Sequence, residues 1–109
     1  MVSKKGVRVK GHNWERQVVK ELNDIGYDAK RILEYQDFSA MGTDVKAKGF
    51  NIQCKKGMAI NVRGAYKEMQ EKDQINVVAA NWDRDLTLAC LKWEDFKLIL
   101  EWLKDKRVL

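Results

Sequence analysis

Gly42-Thr43-Asp44-Val45-Lys46-Ala47-Lys48-Gly49-Phe50-Asn51-Ile52-Gln53-Cys54-Lys55 is the stretch that decides the fold. Ala47-Lys48-Gly49-Phe50 has the form of a tight hairpin turn, because glycine accepts the positive φ that a two-residue loop demands. The turn joins two short strands, residues 44–47 and 50–55. With Lys48 and Gly49 as the loop, Ala47 pairs with Phe50 and Asp44 lies opposite Gln53, with Cβ atoms about 5 Å apart. Side chains alternate along a strand, so Gln53 and Lys55 share a face while Phe50, Ile52 and Cys54 take the other. An apolar set is directed to a core and a polar set to one patch.

Upstream, residues 10–25 carry a helical pattern with Trp14, Val18, Val19, Leu22 and Ile25 as the apolar stripe. At about 100° per residue these positions span a sector of roughly 140°. Glu15 falls inside that sector, between Leu22 and Val19. A carboxylate on the core side of a helix is costly unless it is paired, hydrogen-bonded or bound to a metal. It is either a helix-flank glutamate that snorkels or pairs with a lysine, or a third corner beside Asp44, Gln53 and Lys55.

Downstream, Gly26 suits the left-handed position after a helix end. A strand is expected over 27–35 and a small, polar loop over 36–43. A helix is expected over 61–72, with Val62, Ala65, Tyr66 and Met69 at helical spacing. Strands follow at 75–80 and 86–91, then a helix at 94–104. Glu94 and Asp95 open that last helix and Lys104 and Lys106 close it, as its dipole favours. Phe96, Leu98, Ile99, Leu100, Trp102 and Leu103 make it apolar over more than one stripe, which calls for deep burial or a second subunit. The order is α-β-β-β-α-β-β-α, an α/β layer arrangement with a hairpin in a mixed central sheet flanked by helices.

The 109 residues amount to one domain, read as a basic arm over 1–9 and a single folded domain over 10–109. Net charge is +5 and the isoelectric point is near 9.2, which points to a polyanionic partner. Lys4, Lys5, Arg8 and Lys10 concentrate that charge without an acid among the first ten residues, as a flexible arm that tracks phosphates would. Cys54 and Cys90, with His12 as the one histidine, argue against a zinc site. The cysteines read as reduced core residues of a cytoplasmic protein. No apolar leader and no apolar run of about 20 residues is present, so neither a signal peptide nor a membrane span is expected.

Three segments together resemble the PD-(D/E)xK nuclease superfamily, and most closely its archaeal and phage Holliday junction resolvase branch. They are Gly11-His12-Asn13-Trp14-Glu15-Arg16, Gly42-Thr43-Asp44-Val45 and Ile52-Gln53-Cys54-Lys55. The family pattern is a glutamate on the first helix, an aspartate at a strand and an acidic-x-Lys dyad on the next strand of a hairpin. The resemblance covers nearly the whole chain and implies a restriction-endonuclease-like core. It implies a metal-dependent, structure-specific DNA endonuclease acting on branched DNA, with Mg²⁺ as cofactor and Mn²⁺ able to substitute. Glu15, Asp44 and Gln53 would be the metal ligands, with Lys55 as the fourth catalytic residue. A homodimer is implied too, since the family cuts two symmetric strands of a junction; for a viral protein the compartment would be the host cytoplasm.

One departure stands out: Gln53 occupies the dyad position usually held by Glu or Asp. Its carbonyl can ligate a hard cation but brings no charge. Two classes therefore stay open. One is an active nuclease, whether a resolvase or one that nicks, repairs or cleaves transposon ends; the other is an inactive DNA-binding module on the same fold. Glu68 or Glu71 could supply a replacement carboxylate, with exposed helix charge as the alternative. Lys10, Arg31, Ser39, Lys56 and Arg63 are the candidate DNA-binding residues, against the alternative of ordinary solvated side chains. Trp82 and Trp93 could stack on bases or pack as core and helix-entry residues.

Overall fold

The computed structural model of the protein describes residues 4–32, 42–70 and 74–107, with side chains from Lys10 onward. The elements run α1 (Lys4–Asp24), β1 (Lys30–Arg31), β2 (Val45–Ala47), β3 (Phe50–Gly57), α2 (Val62–Glu68), β4 (Ile75–Trp82), β5 (Thr87–Cys90) and α3 (Trp93–Asp105). This is the element order expected from the sequence. The five strands form one mixed sheet in the order β1-β2-β3-β4-β5. β3 and β4 are parallel and the other neighbours antiparallel. A parallel pair needs a crossover, and α2 supplies it.

The hairpin forms as its sequence requires. Ala47 pairs with Phe50 and Val45 with Ile52, and Gly49 carries the turn at φ +92°. α1 ends in a Schellman cap: Gly26 adopts φ +102° and donates to the Asn23 carbonyl, while Tyr27 donates to the Leu22 carbonyl. At its other end α1 reaches back to Lys4, six residues before the expected start. Residues 4–9, read as part of a flexible arm, are thus helical in backbone; nothing between Lys4 and Lys10 breaks a helix as a proline would.

Two hydrophobic clusters lie on opposite faces of the sheet. Trp14 and Val18 of α1 pack with Ala29, Val45, Ala47 and Ile52 on one face. Ala65 and Met69 pack with Val78 and Ala80 on the other, with Tyr66, Trp82 and Cys90 around them. α1 and α2 therefore sandwich β3 and β4. Trp14 is further fixed by its indole N–H, which donates to the Ala79 carbonyl at 3.0 Å. The second face also buries polar side chains: Asn51 donates to Asn76 on the neighbouring strand at 3.1 Å. α2 is shorter than the expected 61–72, since Met69 is already extended. β3 and β4 run longer than expected because their parallel ladder continues to Gly57 and Trp82.

α3 departs from deep burial. None of its side chains is buried, and Trp93, Phe96, Leu98, Leu100 and Trp102 are exposed together with Leu86 and Leu88 near β5. Among the described residues no helix is long and apolar enough to cross a membrane.

Candidate active site

β3 runs through the middle of the sheet, so its side chains are presented alternately to α1 and α2. Gln53 and Lys55 face α2. Gln53 is only 4% exposed, and its amide nitrogen donates to Glu68 Oε2 at 2.9 Å. Lys55 Nζ lies 3.7 Å from the same oxygen. The Gln53 carbonyl oxygen is buried without a hydrogen-bond partner. Glu68 reaches this spot because Asn61 fixes the start of α2, accepting from the Gly64 N–H at 3.0 Å. Three positions beyond the buried Ala65, Glu68 then lies at the margin of the buried stripe. Lys55, Lys56, Asn61 and Glu68 line a pocket of about 230 Å³ beside it.

Asp44 ends the hairpin. Its N–H donates to the Ile52 carbonyl at 2.9 Å, and its Oδ2 accepts from the Cys54 N–H at 2.8 Å. The carboxylate thus takes the place of a backbone acceptor where β2 stops. The ladder ends at Val45–Ile52, and beyond it the Asp44 N–H turns to the Ile52 carbonyl, so the expected pairing of Asp44 with Gln53 is not part of the sheet.

Glu15 does not join Gln53 and Lys55. Its Oε1 accepts from Arg31 Nε at 3.3 Å, and both side chains are largely buried on the α1 side of the sheet. The cost of a carboxylate on a core-facing helix side is met by a buried ion pair rather than by a shared patch with Gln53. Among the described residues no three Asp, Glu, His or Cys side chains are grouped to hold a metal. Glu68 Oε2 meets the amide nitrogen of Gln53, while the Gln53 carbonyl oxygen, at the other end of the amide, is buried and unpartnered.

Cys54 sits between the two arrangements. Burial pushes its thiol well above the ordinary range, Asp44 and then Glu15 add to the shift, and Arg31 opposes it. The thiolate is the reactive form. Cys54 in the folded protein is therefore expected to resist alkylation at pH 8 while a denatured sample reacts fully. Mass spectrometry after iodoacetamide treatment checks this, and rapid labelling of native Cys54 would contradict it.

The remaining candidates are divided. Lys10 and Lys56 share one carboxylate, lying 3.1 Å from Asp83 Oδ2 and 3.2 Å from Asp83 Oδ1. The Lys10 hydrogen bond is the largest cause of the lowered Asp83 pKa, with Lys56 contributing in the same direction. Arg31 is engaged by Glu15, and Arg63 is exposed on α2. Trp82 is half-buried in the α2 cluster, whereas Trp93 is exposed and tilted against Phe96, with ring centroids 5.8 Å apart. Ser39 and Glu71 lie outside the described residues, as do the side chains of Lys4, Lys5 and Arg8. Neither a protein-family model nor a curated protein matches the chain.

Proposed function

We propose that this chain is a Mg²⁺-dependent DNA endonuclease on a restriction-endonuclease-like core, acting on branched DNA as a Holliday junction resolvase. The observation that carries the reading is the end of the β2–β3 hairpin. There Asp44 accepts from the Cys54 N–H, between Gln53 and Lys55, and Lys55 stands beside a carboxylate and a pocket. A bound Mg²⁺ would polarise a phosphate oxygen and make its own water more acidic. In this reading Asp44 and Gln53 would be metal ligands, and Lys55 would supply a cation to charge developing on the scissile phosphate. Lys56 and Arg63 offer phosphate contacts that set register rather than sequence. With no helix-turn-helix or zinc module in the sequence, specificity comes from DNA geometry.

A homodimer belongs to this reading. A two-fold pair of sites meets two symmetric strands of a junction. The exposed apolar residues of α3 and β5 support it. Three half-exposed aromatic side chains, each with about half of the roughly 150–250 Å² of a fully buried aromatic still open, and four leucines make up a large part of a partner's share in a standard interface, about 800 Å².

The second reading is a non-catalytic DNA-binding module. The Glu15–Arg31 pair favours it, because it removes the helix glutamate from the site. One panel separates the readings: four-way junction, fork, linear duplex and single strand, each with Mg²⁺ and with EDTA. The expected result is paired nicking of the junction well before the linear duplex, by a species of dimer mass in light scattering. Equal cleavage of linear duplex by a monomer would sink the resolvase assignment. Binding without metal-dependent cleavage of any substrate would leave the inactive module.

A further inference from the structure

We infer that Lys10, Lys56 and Arg84 form a cradle for the phosphodiester backbone of a DNA strand, separate from the Gln53–Lys55 site, with Asp83 holding the two lysines in place. The inference rests on the DNA-binding part of the reading above for the identity of its ligand. It does not rest on any cleavage chemistry.

Three parts of the chain, far apart in sequence, bring these cations together. Lys10 comes from α1, Lys56 from the end of β3 and Arg84 from the turn between β4 and β5. With Met58 and Asp83 they line one pocket of about 480 Å³. Backbone contacts fix the placement. The parallel ladder pairs Lys56 with Asn81 and Gly57 with Trp82, and the Asp83 N–H donates to the Gly57 carbonyl at 2.9 Å, so the turn is locked to the end of β3. Lys56 Nζ is then held from two sides, 3.2 Å from Asp83 Oδ1 and 3.3 Å from Asn81 Oδ1. Lys10 Nζ reaches Asp83 Oδ2 at 3.1 Å. One carboxylate faces three cations, so the pocket keeps a positive excess for a polyanion to neutralise.

Arg84 and Met58 point to a ligand independently of the ion pairs. Arg84 is exposed and adopts φ +56°, a left-handed conformation that strains a side chain and that glycine takes freely. The hydrogen bonds that close its turn, from the Asp85 N–H to the Trp82 carbonyl and from the Trp82 N–H to the Leu86 carbonyl, are all backbone and need no arginine. Strain that the fold does not use marks a residue held for function. Met58 is 85% exposed beside the cations. A nucleotide in a strand offers a sugar and a base next to its phosphate, and an exposed methionine can pack on them; a free phosphate offers nothing apolar. Lys56 also lines the pocket beside Lys55. The two pockets therefore share an edge at the end of β3, and a strand seated in the cradle is led toward Lys55. Contacts of this kind set position rather than sequence.

The test measures binding of a labelled duplex and a labelled four-way junction by the whole chain in EDTA, across a salt series. The wild-type protein, K56A, R84G, the double variant and K20A are compared, with thermal melts alongside. K20A removes the same charge about 15 Å further along α1, beyond the screening distance of about 10 Å at 0.1 M salt. K56A and R84G should each lower the slope of log affinity against log salt by about one, and the double variant by about two, for both DNA shapes alike. K20A should keep the wild-type slope. R84G should melt at or above the wild-type temperature, because glycine relieves the turn, so its lost affinity cannot come from misfolding. Wild-type slopes in K56A and R84G, an equal loss in K20A, or no DNA binding by the wild type would each overturn the inference. A K56A protein that melts lower but binds as wild type would show that the lysines only tie α1 to the turn, which also overturns it. So would inorganic phosphate that displaces DNA beyond the effect of chloride at equal ionic strength, which assigns the pocket to a free phosphate. Cleavage is scored apart from binding. Cradle-dependent binding by a protein that nicks no substrate with Mg²⁺ removes the nuclease reading and leaves the cradle standing. Junction nicking by a protein whose K56A and R84G variants bind as wild type does the reverse.

Discussion

Replacing Lys55 with alanine is expected to slow Mg²⁺-dependent nicking by about 100-fold or more, the scale of losing one charged or hydrogen-bonding group aimed at transition-state charge. The fold should tolerate the change. Lys55 is partly exposed, its backbone is held in the parallel ladder opposite Ala80, and its ion pair to Glu68 is solvent-accessible and contributes little. DNA affinity should stay within a few-fold, since one phosphate contact among many is lost. Asp44 needs a more careful variant. Alanine would remove the proposed metal ligand but also leave without its acceptor the Cys54 N–H that donates to Asp44 Oδ2. The substitution Asp44→Asn keeps an acceptor oxygen and discards the charge. Single-turnover cleavage of a labelled junction by K55A and D44N reads both, with thermal melts as the folding control. Full activity in either variant would remove the catalytic assignment.

Gly42→Ala is expected to destabilise the protein by about 3 kcal/mol or more. Gly42 sits at φ +82°, where a residue with a Cβ is strained by roughly 1–3 kcal/mol. The added carbon would also overlap the Glu68 carbonyl oxygen and lie 2.7 Å from its carbon and 2.9 Å from Met69 Cα. These are backbone atoms at the end of α2, so relief requires moving the helix rather than turning a side chain. For a chain of this size the melting temperature should fall by about 10 °C or more. Urea unfolding of G42A against wild type measures it, and a loss under about 1 kcal/mol would show that the loop before Asp44 yields easily. The same contact explains why the approach to Asp44 is tied to the end of α2 that carries Glu68.

Local rules made the hairpin legible. A two-residue loop with Gly49 sets the register from Ala47–Phe50 to Val45–Ile52, and the ladder stops before the expected Asp44–Gln53 pair. Gly26 marked the end of α1 through the same left-handed preference. The site was harder to read because a strand has two faces and a helical pattern does not say which one it covers. Residues 50–55 assign Gln53 and Lys55 to one face. Only the three-dimensional arrangement shows that α1 covers the other, where Glu15 meets Arg31. Glu68 was visible as one of two candidate carboxylates, but α2 ends at that residue rather than running to 72, and the end of the helix brings it onto Gln53. The start of α1 lies upstream of the boundary that charge suggests, because lysine and arginine are good helix formers.

The apolar surface of α3 and β5 has a thermodynamic consequence. A chain that covers this surface only with a second copy has a folding equilibrium that includes protein concentration. Its melting temperature rises as the solution is made more concentrated and falls on dilution, with no change in sequence or buffer. For the proposed dimer, comparisons of variants therefore carry meaning only at matched chain concentration, and a substitution on α3 would shift apparent stability without touching either core.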